Sequence, residues 1–260
     1  MSKMLWKPSG ESVRQSNMHR FMQLVNARHH QKFDEYTPLY RWSVEHIAEF
    51  WAAMWEFAGV IHSAPYSEVA DDLTKMPGTH WFPGARLNFA ENLLRYRDER
   101  TALIFKGEGR PATRMTYAQL YDEVARVAKS LRALGIKPGD RVVGFMPNMP
   151  QATIAMLAAT SIGAVWSSCS PDFGIKGVLD RFGQIRPRVI FTADGYLFKG
   201  KKIDSLERMA GILKELRTIE RVVVVPYTEP TPDIRGVPNA VHWSDFRSGE
   251  TGLQIDFEQL

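Results

Sequence analysis

The sequence predicts an α/β protein: a helical N-terminal region, then a mostly parallel sheet flanked by helices. Three observations lead there. After residue 100, short apolar runs alternate with amphipathic helical segments, the pattern of right-handed βαβ units. The runs Val142-Val143-Gly144-Phe145 and Val222 to Val225 are apolar on both faces, as strands covered on both sides by helices are. Before residue 101, apolar residues, many of them aromatic, recur at helical spacing.

Residues 1–100 form the first expected domain. Ser43 is expected to cap a helix whose first turn carries Glu45. Ile47, Trp51 and Trp55 recur every fourth residue, with Phe50, Met54 and Phe57 in the neighbouring rows, and Gly59 ends the run. Such an aromatic stripe is read as core packing. Pro77-Gly78 and Pro83-Gly84 bracket a loop holding His80, Trp81 and Phe82, and a short helix is expected from Asn88 to Arg97.

Residues 101–260 form the second. Thr101 to Lys106 reads as a strand. Thr116 and Gln119 match a capping box ahead of a long helix with Leu120, Val124, Val127, Leu131 and Leu134 on its apolar face and Gly135 as its stop. Lys137 to Asp140 is a turn and Arg141 to Met146 a buried strand. Asn148 to Ile162 is an alanine-rich helix and Ala164 to Ser168 a strand. Gly177 to Ile185 is helical, Arg188 to Ala193 a strand, Ser205 to Leu216 a helix and Arg221 to Pro226 a strand. From Tyr227 to Leu260 little periodicity remains, and the chain stops at Leu260 without a terminating signal.

Composition excludes several classes. The 260 residues are 44% hydrophobic and 24% charged, with 19 Gly and 15 Pro, which is ordinary globular usage. The net charge of +4 is too small to imply nucleic-acid binding. A single cysteine, Cys169, rules out an intramolecular disulfide framework, and it is expected to be a core thiol at the end of a buried strand. The most apolar window, Ala152 to Val165, falls short of the roughly 20 residues a membrane span needs. The first residues carry no apolar leader core, so a cytoplasmic compartment is expected.

Several strings mimic known sites. Gly107-Glu108-Gly109-Arg110-Pro111-Ala112 matches a dinucleotide fingerprint in form, but Pro111 and the extended Thr113-Arg114-Met115 follow where a helix must begin. A hairpin turn is expected instead. Asp172-Phe173-Gly174 lacks the glycine-rich loop and the His-Arg-Asp loop of a kinase, and reads as a turn into a helix, capped by Ser170 or Asp172 and relieved by Gly174. Ser248-Gly249-Glu250-Thr251-Gly252 has no following lysine and sets a carboxylate where a phosphate would lie, so it reads as a surface turn. None of the seven histidines sits at metal-ligand spacing with a partner set, and no metal site is assigned. Lys199-Gly200-Lys201-Lys202 puts three cations around a glycine just after a strand. It reads either as a solvated charge run or as a loop suited to a phosphorylated ligand.

The string Trp81-Phe82-Pro83-Gly84-Ala85-Arg86-Leu87-Asn88-Phe89-Ala90-Glu91-Asn92-Leu93-Leu94 resembles the N-terminal region of acyl-CoA synthetases of the acetate/acetoacetate type, in the adenylate-forming ligase superfamily. Met115-Thr116-Tyr117, Gly135 to Val142, Pro147 to Pro150 and Ile162 to Trp166 agree. Ser167 to Gly174, with Val178 to Ile185, is similar to the acetoacetate-activating branch. The resemblance runs along essentially the whole chain. It implies a two-step reaction: ATP and a carboxylate give an acyl-adenylate and pyrophosphate, and the thiol of coenzyme A then displaces AMP. It implies ATP, coenzyme A and acetoacetate as substrates, with magnesium, and neither nucleic acid nor membrane as partner.

The family's phosphate loop ending in lysine, its magnesium-binding glutamate, its ribose-binding aspartate and its C-terminal lysine do not occur in these 260 residues. The resemblance therefore implies a helical cap over 1–100 and an incomplete AMP-binding α/β subdomain over 101–260. The remaining C-terminal part of the same polypeptide is its expected partner, and activity is not expected from the 260 residues alone. It also implies that Lys199, Gly200, Lys201 and Lys202 stand where relatives contact the nucleotide end of coenzyme A, with lysines where relatives have arginines. Acetate, propionate or butyrate as the acid, or a non-catalytic binding or assembly module, remain open as alternatives.

Overall fold

In a computed structural model, residues 4–260 are described. Contacts divide them into two compact units that meet in sequence at Arg86 and Leu87.

The first unit is built on four helices, α1 (Gly10–Gln15), α2 (Asn17–His29), α3 (Tyr36–Glu45) and α4 (Ile47–Ala58). Phe21, Met22, Val25, Leu39, Trp42 and Ala53 form its buried centre, and Phe50, Met54 and Phe57 pack against it. Phe21 meets Phe50 and Phe57 edge to face at 5.7 and 5.3 Å, the geometry that ring quadrupoles favour. The expected stop at Gly59 is present, in the left-handed conformation. The expected cap at Ser43 is not. Ser43 lies inside α3 and bonds the Tyr40 carbonyl, while His46 precedes α4 without a side-chain cap. One face of α4 is core, but Trp51 on another is 41% exposed. The loop after α4 is tied by bridges Ala64–Arg86 and Ala70–Trp81.

The second unit opens with α5 (Phe89–Leu93), which is shorter than expected because the chain leaves helical geometry at Leu94. The hairpin β1 (Thr101–Phe105) and β2 (Thr113–Thr116) follows, with Gly107 to Ala112 in its turn, as the sequence predicts. Next come α6 (Tyr117–Ala133), β3 (Arg141–Phe145), α7 (Pro150–Ser161), β4 (Val165–Cys169), α8 (Ile175–Ile185) and β5 (Val189–Ala193). A second hairpin, β6 (Gly195–Phe198) and β7 (Lys201–Asp204), is inserted before α9 (Leu206–Glu215) and β8 (Arg221–Val225). β9 (Ala240–His242) and α10 (Trp243–Phe246) close the series. The capping box is complete: the Gln119 backbone N–H donates to the Thr116 hydroxyl at 3.2 Å, and the Thr116 backbone N–H donates to the Gln119 side-chain amide oxygen at 2.9 Å.

The main sheet has the order β4-β3-β5-β8-β9, and every neighbouring pair is parallel. Helices α6 and α7 cover one face, packing on Val142, Val189, Phe191, Val223 and Val225. Helices α8 and α9 cover the other, packing on Val143, Phe145, Ile190, Val222 and Val224. Alternate residues of each strand therefore enter opposite cores, which is why these strands read as unbroken apolar runs. β4 is an edge strand and half-open to solvent, not buried as expected, although Cys169 at its end is only 5% exposed.

The stretch after Tyr227 is more ordered than its sequence suggests. The Tyr121 hydroxyl accepts from the Ile255 N–H at 3.0 Å, Arg132 donates to the Asp256 carbonyl at 2.7 Å, and Leu87 and Leu260 exchange both backbone hydrogen bonds. Ile255 and Phe257 pack against the α6/α7 core, an arrangement that depends on long-range contacts and leaves no local period.

Candidate functional site at the carboxyl edge of the sheet

In chain order the strands of the main sheet stand 2-1-3-4-5, so the winding reverses between β3 and β5. In doubly wound sheets the crevice beyond the carboxyl ends of such a pair is where ligands bind. The Thr192 hydroxyl, fully buried, donates to the Phe145 carbonyl at 2.9 Å and joins the two strand ends. From there the chain departs into Met146 to Met149 on one side and Asp194 on the other.

Asp194 is 5% exposed, and its carboxylate organises this edge. One oxygen accepts the Tyr227 N–H at 2.5 Å and the Thr228 N–H at 2.9 Å; the other accepts the Thr228 hydroxyl at 2.5 Å and the Glu229 N–H at 2.8 Å. Three backbone N–H groups and one hydroxyl of a single loop thus converge on this carboxylate. The effect is to bind the start of the second hairpin to the loop after β8.

The four predicted residues sit on that hairpin. Lys199 and Gly200 are its two-residue turn, with φ of 50° and 76°, the positive pair that the right-handed twist of a tight hairpin demands. Glycine adopts this freely; a lysine at the first position is strained. Phe198 and Lys201 face each other across the turn, and Leu197 and Lys202 form the next pair. The predicted basic stretch is thus a turn and the start of a strand rather than a loop. A Lys-Gly pair between two four-residue runs, Gly195 to Phe198 and Lys201 to Asp204, was the available signal for it.

The lysines are not equivalent. Lys202 is bonded to Glu229, and that hydrogen bond holds its ammonium above the ordinary value. The Gly200 N–H donates to the Glu108 carboxylate, which lies in the turn of the first hairpin. Arg110 of the same turn stacks over the Tyr227 ring at 4.3 Å. Lys199 lies 5.4 Å from the centroid of the Phe198 ring, which is 51% exposed. Asp194, Glu108, Glu229 and Phe198 are the residues that sequence reasoning missed. Only Asp194, at the end of an apolar run, stood where edge chemistry is expected.

Other readings also meet the structure. Ser170 to Gly174 does form a turn, with the Phe173 N–H donating to the Ser170 carbonyl at 3.2 Å. Neither Ser170 nor Asp172 caps α8, however, whose preceding residue is Gly174 at an ordinary φ of −68°. Glu250 is exposed and paired with Lys129. Among the described residues no group of three or more His, Cys, Asp and Glu could hold a metal ion, and no helix is long and apolar enough to cross a membrane.

A parallel sheet with helices on both faces, loops gathered at the reversal of winding and a basic hairpin beside them define a doubly wound α/β domain with its ligand crevice at that reversal. The family model described as "AMP-binding enzyme" matches residues 89–247, well over half of the chain, and the chain belongs to that family. The model described as "Acetyl-coenzyme A synthetase N-terminus" matches residues 36–93.

Among individual proteins, the chain is 42% identical to an acetoacetyl-CoA synthetase of Macaca fascicularis, over 98% of this chain and 39% of that one. It is 41% identical to an acetoacetyl-coenzyme A synthetase of Rhizobium meliloti, over 98% and 39%. A solved acetoacetyl-CoA synthetase from Streptomyces lividans superposes with a TM-score of 0.89 at 39% identity, over 100% of this chain and 40% of that one. The chain thus spans about two-fifths of the length of the relatives it matches.

Proposed function

We propose that this chain supplies the helical cap region (1–100) and the first part of the AMP-binding α/β domain (101–260) of an acid–thiol ligase acting on acetoacetate. In the first step a carboxylate oxygen attacks the α-phosphorus of ATP and pyrophosphate leaves. In the second, the sulfur of coenzyme A attacks the acyl carbon, the thiol proton is lost and AMP leaves. The observation that carries the reading is the likeness to the Streptomyces lividans enzyme over the full 260 residues. The reaction class, with its use of magnesium, comes from the family. A cytoplasmic location follows from the same reading.

Within that reaction, Lys199, Gly200, Lys201 and Lys202 contact the nucleotide end of coenzyme A. Their support is the position of their hairpin directly after β5, at the reversal of winding. A lysine offers a point charge to phosphate without the fork of an arginine.

The test is acetoacetate-dependent ATP–pyrophosphate exchange, with acetate as control acid. It is run on this chain and on the product of any reading frame that continues past Leu260. Exchange by the longer product, with acetoacetate preferred, supports the reading; a preference for acetate moves it to another short-chain acid. Exchange by neither protein favours a non-catalytic module.

A further inference from the structure

We propose that the cleft between the carboxyl end of α9 and the loop leading into β9 binds a small amphiphile, an alkyl chain with an anionic head group such as a carboxylate. The cleft lies at the amino edge of the sheet, where α9 hands over to β8. From there β8 runs five residues, roughly 15 Å, to the opposite edge. The cleft is therefore a second site, separate from the crevice at the reversal of winding, and it does not depend on the ligase reading.

Three observations carry the proposal. First, there is a cavity with an apolar floor. Its volume is about 350 Å³, within the range of roughly 300–1,000 Å³ that small-ligand sites occupy. Leu213, Leu216, Ile219 and Pro238 line it. Leu216 and Ile219 belong to the core beneath α8 and α9, and Leu213 packs against that core. The floor offers an alkyl chain close packing and no hydrogen bonds.

Second, the charge around this floor is of one sign. Lys214 and Arg217 line the cleft, and no acidic side chain does. Arg217 makes one long hydrogen bond, from Nε to the Lys214 carbonyl at 3.5 Å, which leaves the outer end of its guanidinium open. The acids that follow in sequence are engaged elsewhere, Glu220 by Arg188 and Asp233 by Arg235. Glu215, beside Lys214 in sequence, does not line the cleft. An anionic head group meets this unneutralised charge, and an ammonium group is repelled by it.

Third, both walls are fixed before any ligand arrives. On one side the Val222 N–H donates to the Asn239 carbonyl at 3.1 Å, and the Val237 N–H donates to the Ile234 carbonyl at 3.0 Å. On the other, the Thr218 hydroxyl donates to the Pro187 carbonyl at 2.8 Å. A cleft formed in advance spares the entropy cost of ordering its loops on binding.

The division of labour follows from the side chains. The planar fork of Arg217 matches two oxygens of a carboxylate, and Lys214 adds a point charge. The alkyl chain lies on the leucines and Ile219, where each further methylene that enters the cleft strengthens binding about fourfold. Both cations are at the surface, so the attraction fades with salt.

The experiment is a titration of the nitrogen-15-labelled chain with octanoate at low salt, followed by NMR at the backbone amides of residues 213–219 and 236–239. Hexanoate and octylammonium are titrated in parallel. Octanoate is expected to shift these amides, hexanoate to bind roughly tenfold more weakly, and octylammonium at least tenfold more weakly. Arg217→Gln is expected to weaken octanoate at least fivefold. Ala210→Phe fills the cleft without changing its charge and is expected to abolish binding there. Arg217 is exposed and outside the core, so its variant keeps the test open should Ala210→Phe fail to fold. No shift at these amides, or shifts only at other places in the chain, overturns the proposal. So does octylammonium binding as tightly as octanoate, or octanoate affinity unchanged in Arg217→Gln.

Discussion

The Asp194 carboxylate holds Thr228 by both its backbone and its side chain, with the N–H at 2.9 Å from one oxygen and the hydroxyl at 2.5 Å from the other. One residue at the end of β5 thereby fixes the loop after β8, and with it Glu229, which in turn bonds Lys202. The basic hairpin and the β8 loop are one braced unit because of this carboxylate.

Replacing Asp194 by Ala strands three backbone N–H groups and a hydroxyl in a site that is 5% exposed, and is expected to cost about 3 kcal/mol. Asp194→Asn keeps one carbonyl acceptor and is expected to cost less. Urea unfolding followed by circular dichroism measures both; equal midpoints for Asp194→Ala and the parent would contradict this role.

Asn88 does similar work with the opposite sign. Its side-chain N–H groups donate to the Thr160, Ser161 and Glu258 carbonyls at 3.0, 3.2 and 2.8 Å, while its oxygen accepts the Glu91 N–H at 3.1 Å. Asn88→Asp removes all donors and turns a negative charge toward three carbonyls. It should destabilise more than Asn88→Ala, which itself should cost about 2–3 kcal/mol. Thermal melts of the two variants would show the order.

At the opposite edge of the sheet, Arg188 joins Asp140, Glu220 and the Gly135 carbonyl. The Arg188 hydrogen bond lowers the Glu220 carboxyl, and at Asp140 the Lys137 N–H and Arg188 outweigh burial, which works against the charge. Both carboxyls therefore sit below their ordinary values of 4.5 and 3.8. Groups held low stabilise fully above those ordinary values and lose that contribution as pH falls through the native ones. Stability should decline below about pH 5, less steeply in Arg188→Met, and near pH 7 that variant should lose about 1–2 kcal/mol, since the Glu220 side of the cluster is half-exposed. Unfolding curves at pH 7 and pH 3.5 test the sign.

Burial pushes the Cys169 thiol up, with Arg181 opposing, so little thiolate forms at neutral pH. Iodoacetamide at pH 8 should label the folded chain on the order of tenfold more slowly than the urea-unfolded chain. Equal rates would mean that the end of β4 is open.

Much of the fold was legible because its signals are local. The capping box at Thr116 and Gln119, the stops at Gly59 and Gly135, and the doubly apolar runs of β3 and β8 each depend on residues within a turn or a strand of one another. Ser43 misled because a serine ahead of an apolar helical run resembles a cap, while α3 had already begun at Tyr36 and continued through it. Ser170 and Asp172 misled for a related reason: they bond each other, at 3.1 Å, rather than the helix. The last 34 residues gave no period, since they are held by Tyr121, Arg132, Ser161 and Leu87, residues far away in sequence.

The candidate site divides along the same line. That three lysines surround Gly200 just beyond an apolar strand can be read from the chain, because charge and strand order are local properties. Which of them is left without an acidic partner is set by packing. That depends on Glu229 reaching Lys202, on Glu108 arriving from a hairpin 92 residues away, and on the pleat that sets Phe198 beside Lys201 and away from Lys202. Composition and spacing carry no information about those partners, because hydrogen bonds and register form between segments that meet only once the sheet is wound.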